Sequence, residues 1–519
     1  MPDLSNPPAK YKLTLLIALL CLSACEVVGP DYERPTMDDY ADWTSPLSAD
    51  LQNAQADLDQ WWTIFGDDEL SHLVEVALAD NNSTEIAALR VLQSRAQLGI
   101  AIGNRYPQGQ FASGSTNYVN PANTQGSANT FWQYAIGASI GWEPDFWGRF
   151  QRSIEASDAA FLASISAYDQ ASVILISQVV DIYTLIRTVQ TQLLIAQENM
   201  VLQQRSYNIA EVLFSNGEDS ELDVQQALTL LLSTQATIPE LEATLRQLLN
   251  AMNVLLGRAP GPIAEITDAR AGIPQIPLQL SIGLPADMLR LRPDVRLAEL
   301  QAITQNALVG FAVADMYPSF SLGGSLSLVS GSPLVESDFG DLFSDDAISI
   351  AAGPAFSWPF LNYGRIENNI RVQDARLQQA LINYRETVIQ ASREAEDALA
   401  DYNGAQLQID ILQQTVASAQ RSNELSTIRY REGLSDYQRL LDSQKSLFTQ
   451  QRRLIDSQAK AVRSLISLYT ALGAGWQHRT GMPQVKQENL QQMRARTNWD
   501  EFLNILDSVP DDAGLRSEE

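Results

Sequence analysis

The chain has 519 residues, with 62 acidic against 35 basic side chains and a formal charge of -27. Such a surplus disfavours nucleic acid and anionic headgroups as partners. The two histidines, His72 and His478, and the two cysteines stand in no metal-ligand spacing, and there is no phosphate-binding glycine loop or nucleophile elbow, so no catalytic residue, metal or cofactor is expected.

In chain order, Lys10 and Lys12 precede an apolar run from Leu13 to Leu22 that is too short for a permanent span, and Leu22-Ser23-Ala24-Cys25 follows. This is the pattern of a bacterial lipoprotein signal. Residues 1–24 would be removed and Cys25 would carry covalent lipid, a diacylglycerol and an N-acyl chain. Cys21 would leave with the signal, so the mature chain would hold no free thiol and no disulfide, as suits an oxidising periplasm. Glu26 follows Cys25 where an aspartate would favour retention at the inner membrane, which points to the outer one.

Residues 106–149 and 317–365 repeat one device: a Tyr-Pro, alternating stretches, an aromatic turn ending in Gly-Arg, then a long helix. Trp142, Gly148, Arg149, Tyr168, Asp181, Arg205, Ser206, Gly217, Leu256 and Gly257 recur 216 positions later as Trp358, Gly364, Arg365, Tyr384, Asp397, Arg421, Ser422, Gly433, Leu472 and Gly473. Tyr106-Pro107 recurs as Tyr317-Pro318 after 211 positions, so the length difference falls in the paired strands or their loop.

The strands show a period of two. Trp132, Tyr134, Ile136, Ala138, Ile140 and Trp142 alternate with small or polar residues; Phe320, Leu322, Leu326 and Leu328, and Ile348, Ile350, Ala352, Phe356 and Trp358, do the same. Only the stretch near Phe111 to Tyr118 is ragged. In a soluble sandwich the apolar faces would meet a second sheet. Tryptophans at the strand ends favour an outer-membrane barrel with its aromatic girdles. Four strands cannot enclose water, and an open edge finds no backbone partners in lipid, so several chains must share a barrel whose copy number this argument leaves open.

Neither Gly nor Pro occurs between Gly148 and Gly217, which predicts a helix of about 100 Å at 1.5 Å per residue. Glu218, Asp219, Glu221 and Asp223 crowd the turn after Gly217; reversals are expected around Gly217 and Gly433, and Gly433 is read as the left-handed residue its reversal needs. From Leu434 a heptad stripe runs through Leu441, Phe448, Ile455, Val462 and Tyr469, a second through Leu440, Leu447, Leu454, Ala461 and Leu468, and a third line includes Gln444, Gln451 and Gln458. A two-stranded coiled coil explains one stripe. Two stripes suit a helix held between neighbours in a curved wall, and carboxylates on its wet side would favour cations in the lumen.

The lipobox, VGPDYERP at 28–35, WWTIFGDDEL at 61–70, IGLPADMLRLRPDVRLAE at 282–299 and LYTALGAGW at 468–476 together resemble the TolC-type outer-membrane factors, in particular the lipoprotein branch typified by OprM and NodT. The resemblance covers nearly the whole mature chain through Trp476. Leu291 within the arginine cluster and Ala474 within the closing glycine run depart from the pattern. It implies a mainly α fold with a membrane β portion: a homotrimer in which each protomer adds four strands to a twelve-stranded barrel and long helices to a periplasmic tunnel. The expected divisions are signal 1–24, a lipidated wrap 25–65, a first repeat 66–280, a second repeat 281–476 and an acidic tail 477–519. Val28 through Ala79 and the segment before Gly473 would build a mixed region halfway along the tunnel.

The resemblance also implies a periplasmic gate at the helix ends. Tyr430, Gly433 and Asp442 match the family motif, with copies of Asp442 converging where a divalent cation could block; Arg439 stands at the second acidic position, free to pair with Asp442 or Asp436. A periplasmic membrane-fusion adaptor would dock near Gly217, Asp219, Glu221, Gly433 and Ser435 and join an inner-membrane RND pump. The implied function is the exit duct of a tripartite efflux system. Two alternatives are a duct for type I protein secretion with an ABC transporter, and a pore-free helical tether in the periplasm.

Overall fold

The computed structural model describes residues 27–36, 43–44, 51–52, 58–120, 130–266, 272–277, 279–282, 291–331, 338–479, 481, 485–499 and 502. The expected signal, Cys25 and most of the expected tail lie outside the described residues. Helices α1 (Asp68–Asp80) and α2 (Asn82–Gly103) lead into strands β2 (Gly109–Val119) and β3 (Phe131–Trp142), then α3 (Arg149–Ser215) and α4 (Glu221–Leu255). A second set follows: α5 (Pro293–Ala314), β5 (Ser319–Ser330), β6 (Ile348–Ser357), α6 (Arg365–Arg431) and α7 (Tyr437–Ala471). Short strands β1 (Leu51–Gln52) and β4 (Leu280–Ser281) pair in parallel, and α8 (Gln487–Arg496) comes last.

The duplication holds residue for residue in the helices. The first and second copies have 22 residues in α2 and α5, 67 in α3 and α6, and 35 in α4 and α7. In the strands the offset changes: Gly109 pairs with Gly141 as Ser319 pairs with Ser357, so β2 maps onto β5 after 319 − 109 = 210 positions and β3 onto β6 after 357 − 141 = 216. The first copy therefore has one extra residue between its Tyr-Pro and its strand, and the second a longer β5–β6 turn, built on two 3-10 segments at Phe339–Phe343 and Asp345–Ala347.

The chain forms two compact units. One comprises residues up to 36, 91–164 and 297–384, and holds an antiparallel sheet in the order β2-β3-β5-β6. Directly opposed residues share a face, so the register sets Ile136, Ala138 and Ile140 beside Leu328, Leu326 and Gly324, and Leu326 and Leu328 beside Ile350 and Ile348. The other face carries Ser139, Gly141, Ser325, Ser327 and Ser349. β2 joins this pattern with Ala112 and Tyr118 on the apolar face but puts Phe111 on the polar one, which is why it read as ragged. Trp142 and Trp358, at corresponding strand ends, each donate an indole N–H to a backbone carbonyl, of Arg105 and Met316.

The same unit holds the segment after the expected lipid site. Arg152, buried on α3, bonds the carbonyls of Val28 and Gly29 and the carboxylate of Asp31, while Val28 N–H donates to Trp147. Residues 58–65 belong to the second unit, so the stretch expected as one wrap is divided between two.

The second unit, residues 37–90, 165–296 and 385–519, contains the main core. Asp67 caps α1 by accepting from Leu70 N–H, and α1 buries Leu70, Leu73, Val74 and Ala77 against Ile176, Tyr183, Met252, Leu256 and Leu472. The WWTIF turn inserts Trp61, stacked on Tyr469 with centroids 5.1 Å apart. Beside it, Arg292, preceding the Pro293 that opens α5, is buried and donates to the terminal carbonyl of α7 at Ala471 (2.6 Å), to Asp294 (2.7 Å) and to Glu394 (2.8 Å). Burial works against its charge, but the bonds to Asp294 and Glu394 outweigh it and keep the guanidinium protonated. Gly473, at φ +69°, passes so close that a Cβ there would lie 3.0 Å from the Arg292 Cα.

Arg292→Met should therefore lower stability by about 2 kcal/mol, through loss of a charged, buried donor. Arg371→Met, which breaks the exposed bonds to Glu367 and Asn368 within α6, should cost no more than about 0.5 kcal/mol. Thermal melts of the detergent-solubilised proteins compare the two.

Candidate functional site at the helix reversals

Both long helices of the second unit end in the same way. At Gly217 (φ +76°) the chain leaves α3, and Glu218 N–H reaches back to the Leu213 carbonyl (2.9 Å); at Gly433 (φ +68°) it leaves α6, and Leu434 N–H reaches the Arg429 carbonyl (2.8 Å). A left-handed residue lets the last carbonyls of each helix find donors. Ser220 then caps α4, its hydroxyl accepting from Asp223 N–H, whereas Asp436 precedes α7 without a side-chain cap bond.

Aromatic rings of the second reversal pack against the first. Tyr430, near the end of α6, and Tyr437, at the start of α7, pack edge to face at 5.3 Å in a small core with Ala210, Val224, Ala227, Leu230, Leu440 and Leu441. The Tyr430 hydroxyl donates to Asp219 across the gap (2.5 Å). Burial, then the Asp219 carboxylate, pushes the Tyr430 phenol far above its ordinary range, and burial with Asp223 nearby takes Tyr437 up to about 12. Burial would raise Asp219 as well, but its bonds to Asp223, Tyr430 and Ser220 N–H prevail and hold it below the usual carboxylate range. Asp223 moves the opposite way, raised by burial and by its neighbour Asp219. A phenol kept neutral beside a carboxylate kept ionised is a durable hydrogen bond.

The remaining expected residues are arranged differently. Arg439 lies 3.6 Å from Asp436, both largely exposed, while Asp442 accepts from Gln438 (3.0 Å). Of the two pairings open to Arg439, the chain forms the one with Asp436. Glu221 and Gly217 lie exposed at the first turn and Gly433 at the second, with Ser435 half-exposed beside it.

Sequence reasoning put Tyr437 at the head of the third heptad line without a role at the reversal, and it gave Arg292 no role although it marked the run 282–299. It saw the glutamine line without its purpose. Gln444 donates to Ser206 (2.7 Å) and Gln451 accepts from Asn199 (2.8 Å), two buried polar rungs joining α7 to α3. Glutamines seven apart on an otherwise apolar face were the available signal.

The model of the family described as outer membrane efflux protein matches residues 73–258 and 284–474, one stretch for each copy of the duplication. The chain belongs to this family. It is 32% identical over 468 residues to the cation efflux system protein CusC of Escherichia coli O6:H1, covering 90% of this chain and 99% of that one. It is 30% identical over 475 residues to the solvent efflux pump outer membrane protein SrpC of Pseudomonas putida, with the same coverage. The solved outer-membrane channel OprN superposes with a TM-score of 0.80 at 29% identity, covering 87% of this chain and 99% of that one. This member of the family is thus a TolC-type outer-membrane efflux channel extending into the periplasm, and not an enzyme. Its channel fold removes the pore-free tether from consideration.

Tyr430→Phe keeps the ring in its core but removes the donor to Asp219. Loss of about 1 kcal/mol of local stability should speed amide exchange several-fold in residues 210–223 while leaving the Trp61 core unchanged, as read by exchange mass spectrometry.

Proposed function

We propose that three copies of this chain build one duct, closing their sheets into a twelve-stranded barrel in the outer membrane and their long helices into a tunnel. The observation that carries this reading is a sheet with one apolar face, strands of 10–12 residues and two unpaired edges, β2 and β6. Strands of this length suit the hydrocarbon core, and neither edge can remain unpaired there. Cys25 carries the lipid that fixes the N-terminal segment to the membrane. A periplasmic adaptor docks at the reversals and couples the duct to an RND pump. CusC is named for cations and SrpC for solvents, two cargoes served by ducts similar to this one; the pump, rather than the duct, selects what leaves.

The same assembly makes the reversals a gate. Tyr430 and Asp219 hold the two turns of one protomer together, and Asp436 with Arg439 lies beside them. Asp442, exposed and bonded among the described residues to Gln438, faces its copies across the axis. Like charges so gathered attract a cation. In planar bilayers, the channel should favour cations in a salt gradient, and Asp442→Ala should raise conductance and weaken block by divalent cations. Anion preference would remove the acidic lumen, and unchanged conductance and block would remove Asp442 from the gate.

Crosslinking intact cells and purifying the chain through a C-terminal tag should recover an adaptor and an RND pump. Recovery of an ABC transporter instead would move the duct to type I secretion.

A further inference from the structure

The internal duplication predicts how one copy meets the next. Within the chain, β3 of the first repeat pairs with β5 of the second, with Trp142 opposite Leu322, Ile140 opposite Gly324 and Ile136 opposite Leu328. At the adjoining turn Trp147 stacks on Tyr317, with centroids 4.6 Å apart, and donates to the Pro318 carbonyl. Arg149 lies 3.5 Å from Asp315 and over the Phe311 ring. Contacts do follow the offsets: the bond from Trp142 to Arg105 recurs as that from Trp358 to Met316, at 216 and 211 positions.

Among the described residues the equivalent seam from β6 to a following β2 has no partner, and its residues carry the marks of a contact left open. Tyr363, the counterpart of Trp147, is 95% exposed and held at φ +50°, a conformation that costs a tyrosine energy unless something fixes it. Tyr106, the counterpart of Tyr317, is 65% exposed. Arg365, the counterpart of Arg149, is exposed and forms no ion pair among the described residues; Ile100, in the place of Phe311, is 65% exposed.

We propose that the seam between copies repeats the β3–β5 register, so that Trp358, Phe356, Pro354 and Ala352 of one copy lie opposite Ala112, Gly114, Thr116 and Tyr118 of the next. In the same seam Tyr363 and Arg365 close over the second copy's Tyr106 and Ile100. The inference rests on the shared-barrel reading and adds its register and its clasp. Three features of the sequence support it. Applying the offsets of 216 and 210 keeps apolar face against apolar face, whereas a slip by one residue would set Phe356 against the polar face. Each bulky ring in this register meets a small residue: Trp358 meets Ala112, Phe356 meets Gly114, and Tyr118 meets Ala352. The two orphaned clusters fall together, and both lie at the same ends of their edge strands.

Disulfide formation in outer-membrane vesicles tests the register, because opposed residues are in reach and those displaced by two are not. Two in-register pairs are used, Phe356→Cys with Gly114→Cys and Ser357→Cys with Ser113→Cys. Successive pairs alternate in hydrogen-bonding type, so one of them has the closer spacing. The slipped controls are Phe356→Cys with Thr116→Cys and Ser357→Cys with Ser115→Cys. Disulfide-linked trimers from an in-register pair, and from neither control, are expected. Linkage in a slipped pair, or none in any pair while light scattering shows three copies, overturns the register. An in-register link with a mass other than three copies keeps the seam and rejects the trimer. For the clasp, Tyr363→Ser with Arg365→Ser should lower by several degrees the temperature at which the assembly dissociates in detergent, relative to Arg371→Ser; an unchanged temperature overturns it.

Discussion

A strand in lipid must have both of its edges paired. Water is absent, so every backbone N–H and carbonyl left over costs several kcal/mol. Four strands arranged β2-β3-β5-β6 satisfy the two inner ones and leave two open edges, and the rest of the molecule is organised around that deficit. The duplication supplies two hairpins of like geometry, and the alternation of side chains separates a face for lipid from a face for water. In the shared barrel proposed above, closure of this sheet is an event between copies rather than within one chain.

The helices face a related problem. A helix of 67 residues in a folded protein takes most of its stability from packing, and so must be held along its length by neighbours. Apolar stripes on α7 provide most of that support, and the rungs from Gln444 to Ser206 and from Asn199 to Gln451 add direction to it, since a slip would leave buried amides without partners. At one level the Trp61–Tyr469 stack and the Arg292 clamp bind the ends of α1, α5 and α7 into a single core. At the reversals a much smaller core, with Tyr430 and Tyr437 at its centre, holds the turns. The core around Trp61 is large, and the one at the reversals is small and edged by polar groups.

Much of this was legible from the chain alone, for reasons that can be named. Gly217 and Gly433 announce reversals because a helix ends most easily on a residue that tolerates positive φ. Alternation in β3, β5 and β6 announces strands because one face meets apolar surroundings and the other does not. The stretch from Phe111 to Tyr118 resisted reading because Phe111 lies on the polar face while Gly114 and Thr116 lie on the apolar one, and the parity of such a strand is known only once it is paired. Asp219 was noted as one acid in a cluster. Its distinction lies in a hydroxyl arriving from Tyr430, 211 positions away. Arg439 had two acidic neighbours within one helical turn, and the choice between them is geometric.

The sequence by itself determined the repeat, the span of the first long helix, the alternating strands and the family. These are recorded in periodicity, in breakers and in motifs, all of which act over short distances. Tertiary structure decided the register that gathers apolar side chains on one face, the burial of Arg292 under the end of α7, the link from Tyr430 to Asp219, and the assignment of residues 27–36 to the sheet unit and 58–65 to the other. Apart from the two hairpin registers, these depend on which residues meet across gaps of a hundred or more positions. Pattern along a chain carries no such information, because any donor fits many acceptors until the fold chooses one.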